Sequence, residues 1–545
     1  MPFSSLSRNV DPACRRIVPL VAIALAVIVS HSGCSPWRPS AKPLTTGQLI
    51  SLMPDQCSTA LVFPSFDGAY QALLLLLDRA APENVDINVE AQVLARPLAT
   101  LAGESGATDI IDIAMGKGVD PALPLTIFLA PGQATAPETP EPAVTPDSMI
   151  NPAALFTRIN DRMLFVAVLP RYSQKFMEQA VADWSKGKAV RQEPLAGNAA
   201  PLQVREDGRL CWYFTPEGLV AGNSVELAKA VAARAQQPAA IAYNAADVEK
   251  ADLIQIVRGA ASALTDSTQE ESGPLALVSR MFSALLAAPD PATPSVVAWR
   301  IGETSLEATV RRPESKEKAA ALQLAPLLPT SATGFAALSM TDAGKSLMQE
   351  LVGSLGVQQS LPGDARSMLE SLDGELAVAA TKGSPGRPNI VLLAHIGEGQ
   401  ARETLKSAAS ALAVENYNGV SIVSIPIPGG TNYQVQYALV GDVLAVATEM
   451  GDVKTAVDRI QSGKPSGLFA SLAPPLDPAA PPRMAIVANA SFVSETFAPL
   501  LANRGVLPFE RAETAAKALA KVSEFRVTTV AEGSDEVTRL TLHVQ

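Results

Sequence analysis

The sequence predicts an α+β fold built twice in tandem: a mostly antiparallel sheet packed by helices, each half ending in a β-hairpin. Three observations carry this. Short apolar strands run into helical patterns through a serine, paired segments recur at near-constant separation, and both halves end in alternating segments around a turn. Ala60-Leu-Val-Phe-Pro-Ser65-Phe66, Gly334-Phe-Ala-Ala-Leu-Ser339-Met340 and Met484-Ala-Ile-Val-Ala-Asn-Ala-Ser491-Phe492 are the strand–serine starts. A serine there can cap the following helix. A fourth start, Ala251 to Arg258, keeps strand and helix without the serine.

The middle pieces pair as well. Arg162–Leu169 with a helix over 171–185 matches Asn389–Ala394 with a helix over 398–413. Gly218–Gly222 and the Val225 helix match Val443–Ala447 and the Val453 helix. Val296–Ile301, a turn at Gly302-Glu303 and Leu306–Val310 match Phe525–Val530, a turn at Glu532-Gly533 and Val537–Val544. The offset in numbering is 226 from Leu164 to Ile390, 225 from Leu219 to Leu444 and 229 from Val296 to Phe525; Leu61 to Phe335 departs, at 274. The stretch 131–152 holds six prolines and reads as an extended loop. The organisation expected is a leader over 1–33, a tether over 34–45, a first repeat over 46–313, a charged joint over 314–324 and a second repeat over 325–545.

The leader is the most informative stretch. Arg8, Arg15 and Arg16 precede the uncharged apolar run Ile17–Val29, which is too short to cross a bilayer comfortably and fits a secretory core. Ser32 and Gly33 directly before Cys34 resemble the bacterial lipobox, at which signal peptidase II cuts and the cysteine is acylated. His31 departs from the aliphatic residue usual three places before the cysteine. Other readings of the leader are cleavage after Ser32 by signal peptidase I, an uncleaved anchor, and twin-arginine export at Arg15-Arg16. The resemblance implies a periplasm-facing protein tied to the membrane through Cys34. Ser35, a residue other than Asp, resembles the default signal for the outer membrane of Gram-negative bacteria. The tether 35–45 holds three prolines and reads as stiff. The duplication, the final hairpins and the strand followed by a Val-x-x-Ala-Val helix resemble an uncharacterised bacterial envelope family, labelled domain of unknown function 3352. That likeness spans most of 50–545 and implies extracytoplasmic residence, with no site motif.

Composition narrows the function. The 545 residues are 48% hydrophobic and 18% charged, enough for large cores. Lys and Arg number 43 against 54 Asp and Glu, a net charge of −11, which argues against a nucleic-acid partner. Cys14 leaves with the leader, so Cys57 and Cys211 are the pair left for one intramolecular disulfide, or two buried thiols.

No motif assembles a reaction. Gly344-Lys345-Ser346 lacks the glycine, five places earlier, of a phosphate-binding loop, since Ser339 stands there. Ser315 and Lys318 have a Ser–Lys spacing but lie in the charged joint. A Ser–His–acid triad has only His395 or His543 after cleavage, and two such histidines without cysteine partners make no zinc site. Asp109 and Asp112, and Glu270 and Glu271, read as surface carboxylates. Tyr172, Phe176, Met177, Val181 and Trp184 fall at near-helical spacing and read as core-facing. No cofactor or metal is expected. The function expected is a non-catalytic, lipid-anchored envelope protein offering an interaction or scaffold surface. The alternatives are a periplasmic carrier of lipid or another apolar ligand, and a hydrolase whose site the sequence does not single out.

Overall fold

The computed structural model describes residues 42–81, 109–132, 163–185, 187–195, 200–258, 293–313, 320–340, 371–384, 387–426, 434–472, 475–477, 481–497 and 520–545. The chain divides into two compact units, 1–269 with 283–303, and 270–282 with 304–545. Both are α+β, and every strand pairing within each is antiparallel. Among the described residues no helix is long and apolar enough to cross a membrane. Cys34, the proline-rich loop beyond 132, the joint residues 314–319, Gly344–Ser346 and Glu270-Glu271 lie outside the described residues.

Unit 1 carries β1 (Thr59–Phe63), β2 (Leu125–Pro131), β3 (Met163–Pro170), β4 (Val190–Glu193), β5 (Leu202–Arg205), β6 (Cys211–Phe214), β7 (Gly218–Gly222), β8 (Leu253–Val257) and β9 (Ser295–Ile301). Their order across the sheet is β9-β8-β1-β2-β3-β7-β6-β5-β4. The central strands are buried along nearly their whole length, because both faces are covered. Leu61, Ile127, Leu129, Phe165 and Ala167 enter one core, with helices α2 (Phe66–Ala80), α3 (Ile110–Gly116) and α4 (Gln174–Trp184). Ala60, Val62, Phe128, Val166 and Val168 enter the other, with α1 (Thr46–Ser51), α5 (Val225–Gln236) and α6 (Ala245–Glu249). Alternate residues of one strand therefore serve opposite layers.

The helix starts follow the serine rule in part. Ser65 Oγ accepts from Gly68 N–H at 3.0 Å, and Ser173 and Ser224 cap α4 and α5 in the same way. Ser491 does not cap; Asn489 Oδ1 accepts from Phe492 N–H at 3.0 Å instead. Helix α4 buries Phe176, Met177 and Val181, with Trp184 packed against the same core, as its spacing predicts; Tyr172 precedes the helix and its cap and is only half-buried.

Unit 2 carries β10 (Ser305–Pro313), β11 (Ala332–Met340), β12 (Leu372–Ser384), β13 (Arg387–Ile396), β14 (Ala413–Tyr417), β15 (Val420–Pro426), β16 (Gln434–Val440), β17 (Val443–Ala447), β18 (Met484–Asn489), β19 (Val522–Glu532) and β20 (Asp535–Val544). The order is β10-β20-β19-β18-β11-β12-β13-β17-β16-β15-β14. Helices α7 (Gln400–Leu412), α8 (Met450–Ser462) and α9 (Leu468–Ser471) complete its described helices, with a 3-10 turn at Ala325–Leu327 and a π-turn at Phe492–Phe497. Again two cores form, Ala377, Leu393 and Val453 in one, and Leu376, Ala394 and Leu405 in the other. Strand β10, read from the sequence as the end of the first half, belongs to unit 2, where it pairs along β20 from Ser305↔His543 to Pro313↔Asp535.

Raising each strand number by ten turns every pairing within unit 1 into a pairing within unit 2. Single bonds recur too. Phe165 N–H donates to Asn223 Oδ1 and Asn223 N–H to Phe165 O; in unit 2, Ile390 N–H donates to Thr448 Oγ1 and Thr448 N–H to Ile390 O. The bonds from Leu52 to Leu49, Met53 to Ile50 and Cys57 to Pro54 recur as Leu327 to Leu324, Leu328 to Ala325 and Ala332 to Pro329. The first set repeats at the offset of the middle pieces, the second close to the departing offset of the strand starts. The difference arises in two connections. Paired residues lie 68 apart in the chain across β1 and β2 (Ala60↔Phe128) but 44 across β11 and β12 (Phe335↔Ala379), and 38 apart across β2 and β3 (Phe128↔Val166) but 12 across β12 and β13 (Ala379↔Val391).

Strands β3 and β7 meet closely at two glycines. A Cβ on Gly222 would lie 2.2 Å from Phe165 O, and one on Gly218 1.9 Å from Leu169 O. Backbone atoms cannot rotate away as a side chain can, so Gly222→Ala is expected to lower the unfolding free energy of unit 1 by roughly 1–3 kcal/mol, the cost of overpacking. Urea unfolding of the variant against the native chain measures this.

Candidate functional site

The sequence points first to Cys57 and Cys211. Both are free thiols and buried, so the disulfide left open by the sequence does not form. Cys57 leads into β1 and Cys211 opens β6; β2, β3 and β7 stand between those strands. Four strand spacings are about 19 Å along the sheet, whereas bridged Cα atoms lie within about 7 Å. Burial pushes each thiol up to about 12, with Arg258 pulling Cys57 down slightly and Glu193 raising Cys211 further. Cys211 Sγ donates to Gly222 O at 3.5 Å.

The carboxylates near the start of α3 are a helix cap: Asp109 Oδ1 accepts from Asp112 N–H at 2.8 Å. Lys117, at the end of that helix, is 1% exposed. A positive charge suits a helix C-terminus, but its burial had no signal in the sequence.

The histidines are not brought together. His395 lies in β13 and His543 in β20, five strand steps apart in unit 2, on the order of 24 Å along the sheet. Among the described residues no three His, Cys, Asp or Glu side chains converge as a metal site. His543 stands opposite Glu524 and Ser305 in the strand register.

Around His395 the structure assembles a set that spacing alone does not reveal. Its Nδ1 lies 3.2 Å from Asp442 Oδ2, on the turn into β17. Across β12 sits Glu375, 5% exposed, and opposite Glu375 on β11 sits Ser339. Gly374, at φ +86°, lets the strand turn close to the imidazole, since a Cβ there would lie 3.3 Å from His395 Cβ. Ser339 and His395 are two strands apart, about 10 Å, so the serine cannot pass its proton to the imidazole, which takes about 3 Å. Glu375 occupies the place between them.

Glu375 faces inward to the backbone. Its carboxylate accepts from Gln323 N–H at 2.5 Å, Leu324 N–H at 2.8 Å and Ala325 N–H at 2.8 Å, and Ser339 Oγ accepts from Ala320 N–H at 3.1 Å. Together they clasp the segment that precedes β11 and places Leu322, Leu324, Ala325 and Leu328 in the core. Burial pushes the Glu375 carboxyl above its ordinary range, against the pull of the three N–H groups and of His395. In unit 1 the equivalent donors, at the matching place before β1, are met by a helix cap: Gln48 N–H donates to Thr45 Oγ1 and Leu49 N–H to Thr45 O. The set is thus a structural clasp with an exposed His–Asp pair on its flank.

No family model matches the chain, and no curated protein matches it. The solved structure titled crystal form I of TP0453 is similar over 68% of this chain and 99% of that one, at 10% identity and a TM-score of 0.24. At that score the likeness carries no argument about this protein.

Three outcomes follow from the site geometry. Glu375→Ala leaves two buried donors, Leu324 and Ala325 N–H, and the part-buried Gln323 N–H without an acceptor and should cost unit 2 roughly 2–4 kcal/mol, read by chemical denaturation. The native chain holds the Glu375 proton more tightly than the unfolded chain does. This contribution to stability is therefore complete below the ordinary carboxyl range and is lost as pH rises through the native value, so the deficit of the variant should be larger in acid than at neutral pH. Cys57 and Cys211, held protonated, should resist alkylation in the native protein and both react after denaturation, counted by intact mass.

Proposed function

We propose that this chain is a lipid-anchored protein of the bacterial envelope, facing the periplasm, whose two homologous α+β halves serve as an interaction or scaffold surface. The observation that carries the reading is the leader: three arginines, the uncharged run Ile17–Val29, and Cys34 behind Ser32 and Gly33. Cleavage before Cys34 removes three arginines and one aspartate, taking the net charge from −11 to −13. More than one acyl chain gives stable attachment without a transmembrane helix. Ser35 favours delivery to the outer membrane.

Tandem duplication is supported by the strand-for-strand correspondence of pairings and by the hydrogen bonds that recur between Phe165 and Asn223 and between Ile390 and Thr448. Helices cover both faces of each sheet, so the surface offered to an envelope partner is that of helices, turns and edge strands.

Cys34→Ala should abolish acylation and release the protein from membranes. A membrane fraction unchanged by the substitution would refute the anchor. Mass spectrometry of the natively purified protein separates a scaffold, which brings proteins with it, from a carrier, which brings a stoichiometric lipid or other apolar ligand.

A further inference from the structure

The tether enters unit 1 at a fixed point. Gln48 N–H donates to Thr45 Oγ1 at 3.3 Å and Thr45 N–H to Gln48 Oε1 at 2.8 Å, a reciprocal cap on α1. Leu49 and Ile50, each 1% exposed, then fasten that helix to the core. Lys42 follows closely on Cys34 in the chain. The stretch from one to the other, fully extended, reaches about 28 Å, so an acylated Cys34 keeps this corner of unit 1 within that distance of the bilayer.

The same corner carries the segment 236–246, an unbroken run without a charge in a chain whose net charge is −11. Ala239 N–H donates to Ser51 O at 2.8 Å, tying the segment to the end of α1. Tyr243 lies over Gly47, where a Cβ would come within 2.6 Å of its hydroxyl oxygen. Ala240, Ala242, Tyr243 and Asn244 are exposed, and so is Lys42. An anionic bilayer repels an acidic surface, and the repulsion is least where carboxylates are few or neutralised; here Asp55, near the end of α1, is paired with Arg234 and Arg258, and Asp247 and Glu249 lie beyond the strip. A tyrosine, apolar in the ring and polar at the tip, suits the headgroup layer.

We propose that this corner, Lys42 with the uncharged strip 236–246 around Tyr243, is the face of unit 1 that lies against the lipid surface. The proposal rests on the acyl anchor at Cys34.

The test uses the full chain, processed in cells, purified and reconstituted into vesicles of phosphatidylethanolamine and phosphatidylglycerol. Ala242→Cys, on the strip, and Gln179→Cys, on α4 over the opposite face of the sheet, are each labelled with a fluorophore. Both positions are exposed, and the native thiols are buried. A nitroxide carried on lipid headgroups should quench the label at 242 several-fold more than the label at 179, and Tyr243→Ser should weaken quenching at 242. Equal quenching, or stronger quenching at 179, would overturn the proposal. A label at 242 shielded from a water-soluble quencher yet unreached by the lipid one would assign the strip to a protein partner and overturn it too. Intact mass separates the two failures: a missing acyl mass refutes the anchor, whereas acylated protein with equal quenching refutes only this orientation.

Discussion

Each unit depends on covering its central strands on both faces. In unit 1, β1, β2 and β3 send alternate residues into two separate cores; in unit 2, β12 does the same and Ala394 and Ile396 of β13 enter the second core, while Leu338 of β11 is only half-buried there and Ala336 is exposed. An antiparallel sheet can leave one face in water, and then its strands alternate apolar and polar. Here they cannot, and the consequence runs through the fold: helices must lie on both sides, and each connection must cross to the correct layer. With 5% aromatics, much of the work falls to Ala, Val, Leu and Ile, small enough to let strands and helices approach closely.

The two units reach the same topology by different local chemistry. Before β1 and before β11, corresponding backbone donors need acceptors. Unit 1 supplies them with Thr45 at a helix cap; unit 2 supplies them with the buried carboxylate of Glu375. Buried N–H groups must be satisfied, but the acceptor need not be the same in kind. By strand register, Pro124 and Pro170 of unit 1 stand where unit 2 has Glu375 and His395, so the ionisable set around His395 has no counterpart in the first half. The two units thus share their pattern of strand pairings but not this clasp.

Much of the fold was legible in the sequence because apolar strands and capped helices write their period locally. Met163–Pro170, Gly218–Gly222, Val443–Ala447 and the helices after them fall where the matched segments place them. The final hairpin turns at Gly533, whose φ of +65° suits glycine. What escaped was the meander from β4 to β6 and its counterpart from β14 to β16. Val190–Glu193 is short, charged and exposed, so it carries no hydrophobic period. The clasp escaped as well, because Glu375 is far from Gln323–Ala325 in the chain and nothing near it in sequence requires its burial.

The sequence by itself determined the class of fold, the positions of most helices and strands, and the matching of early, middle and late segments, since these follow from local hydrophobic period and capping. It also supplied the leader pattern on which the anchoring reading rests. Only the tertiary structure decided which residues face which core, that the two cysteines stay apart as protonated thiols, and that β10 joins the second unit. Those outcomes depend on register between strands far apart in the chain, and a register is fixed by the pairing of two segments together, so neither segment encodes it alone.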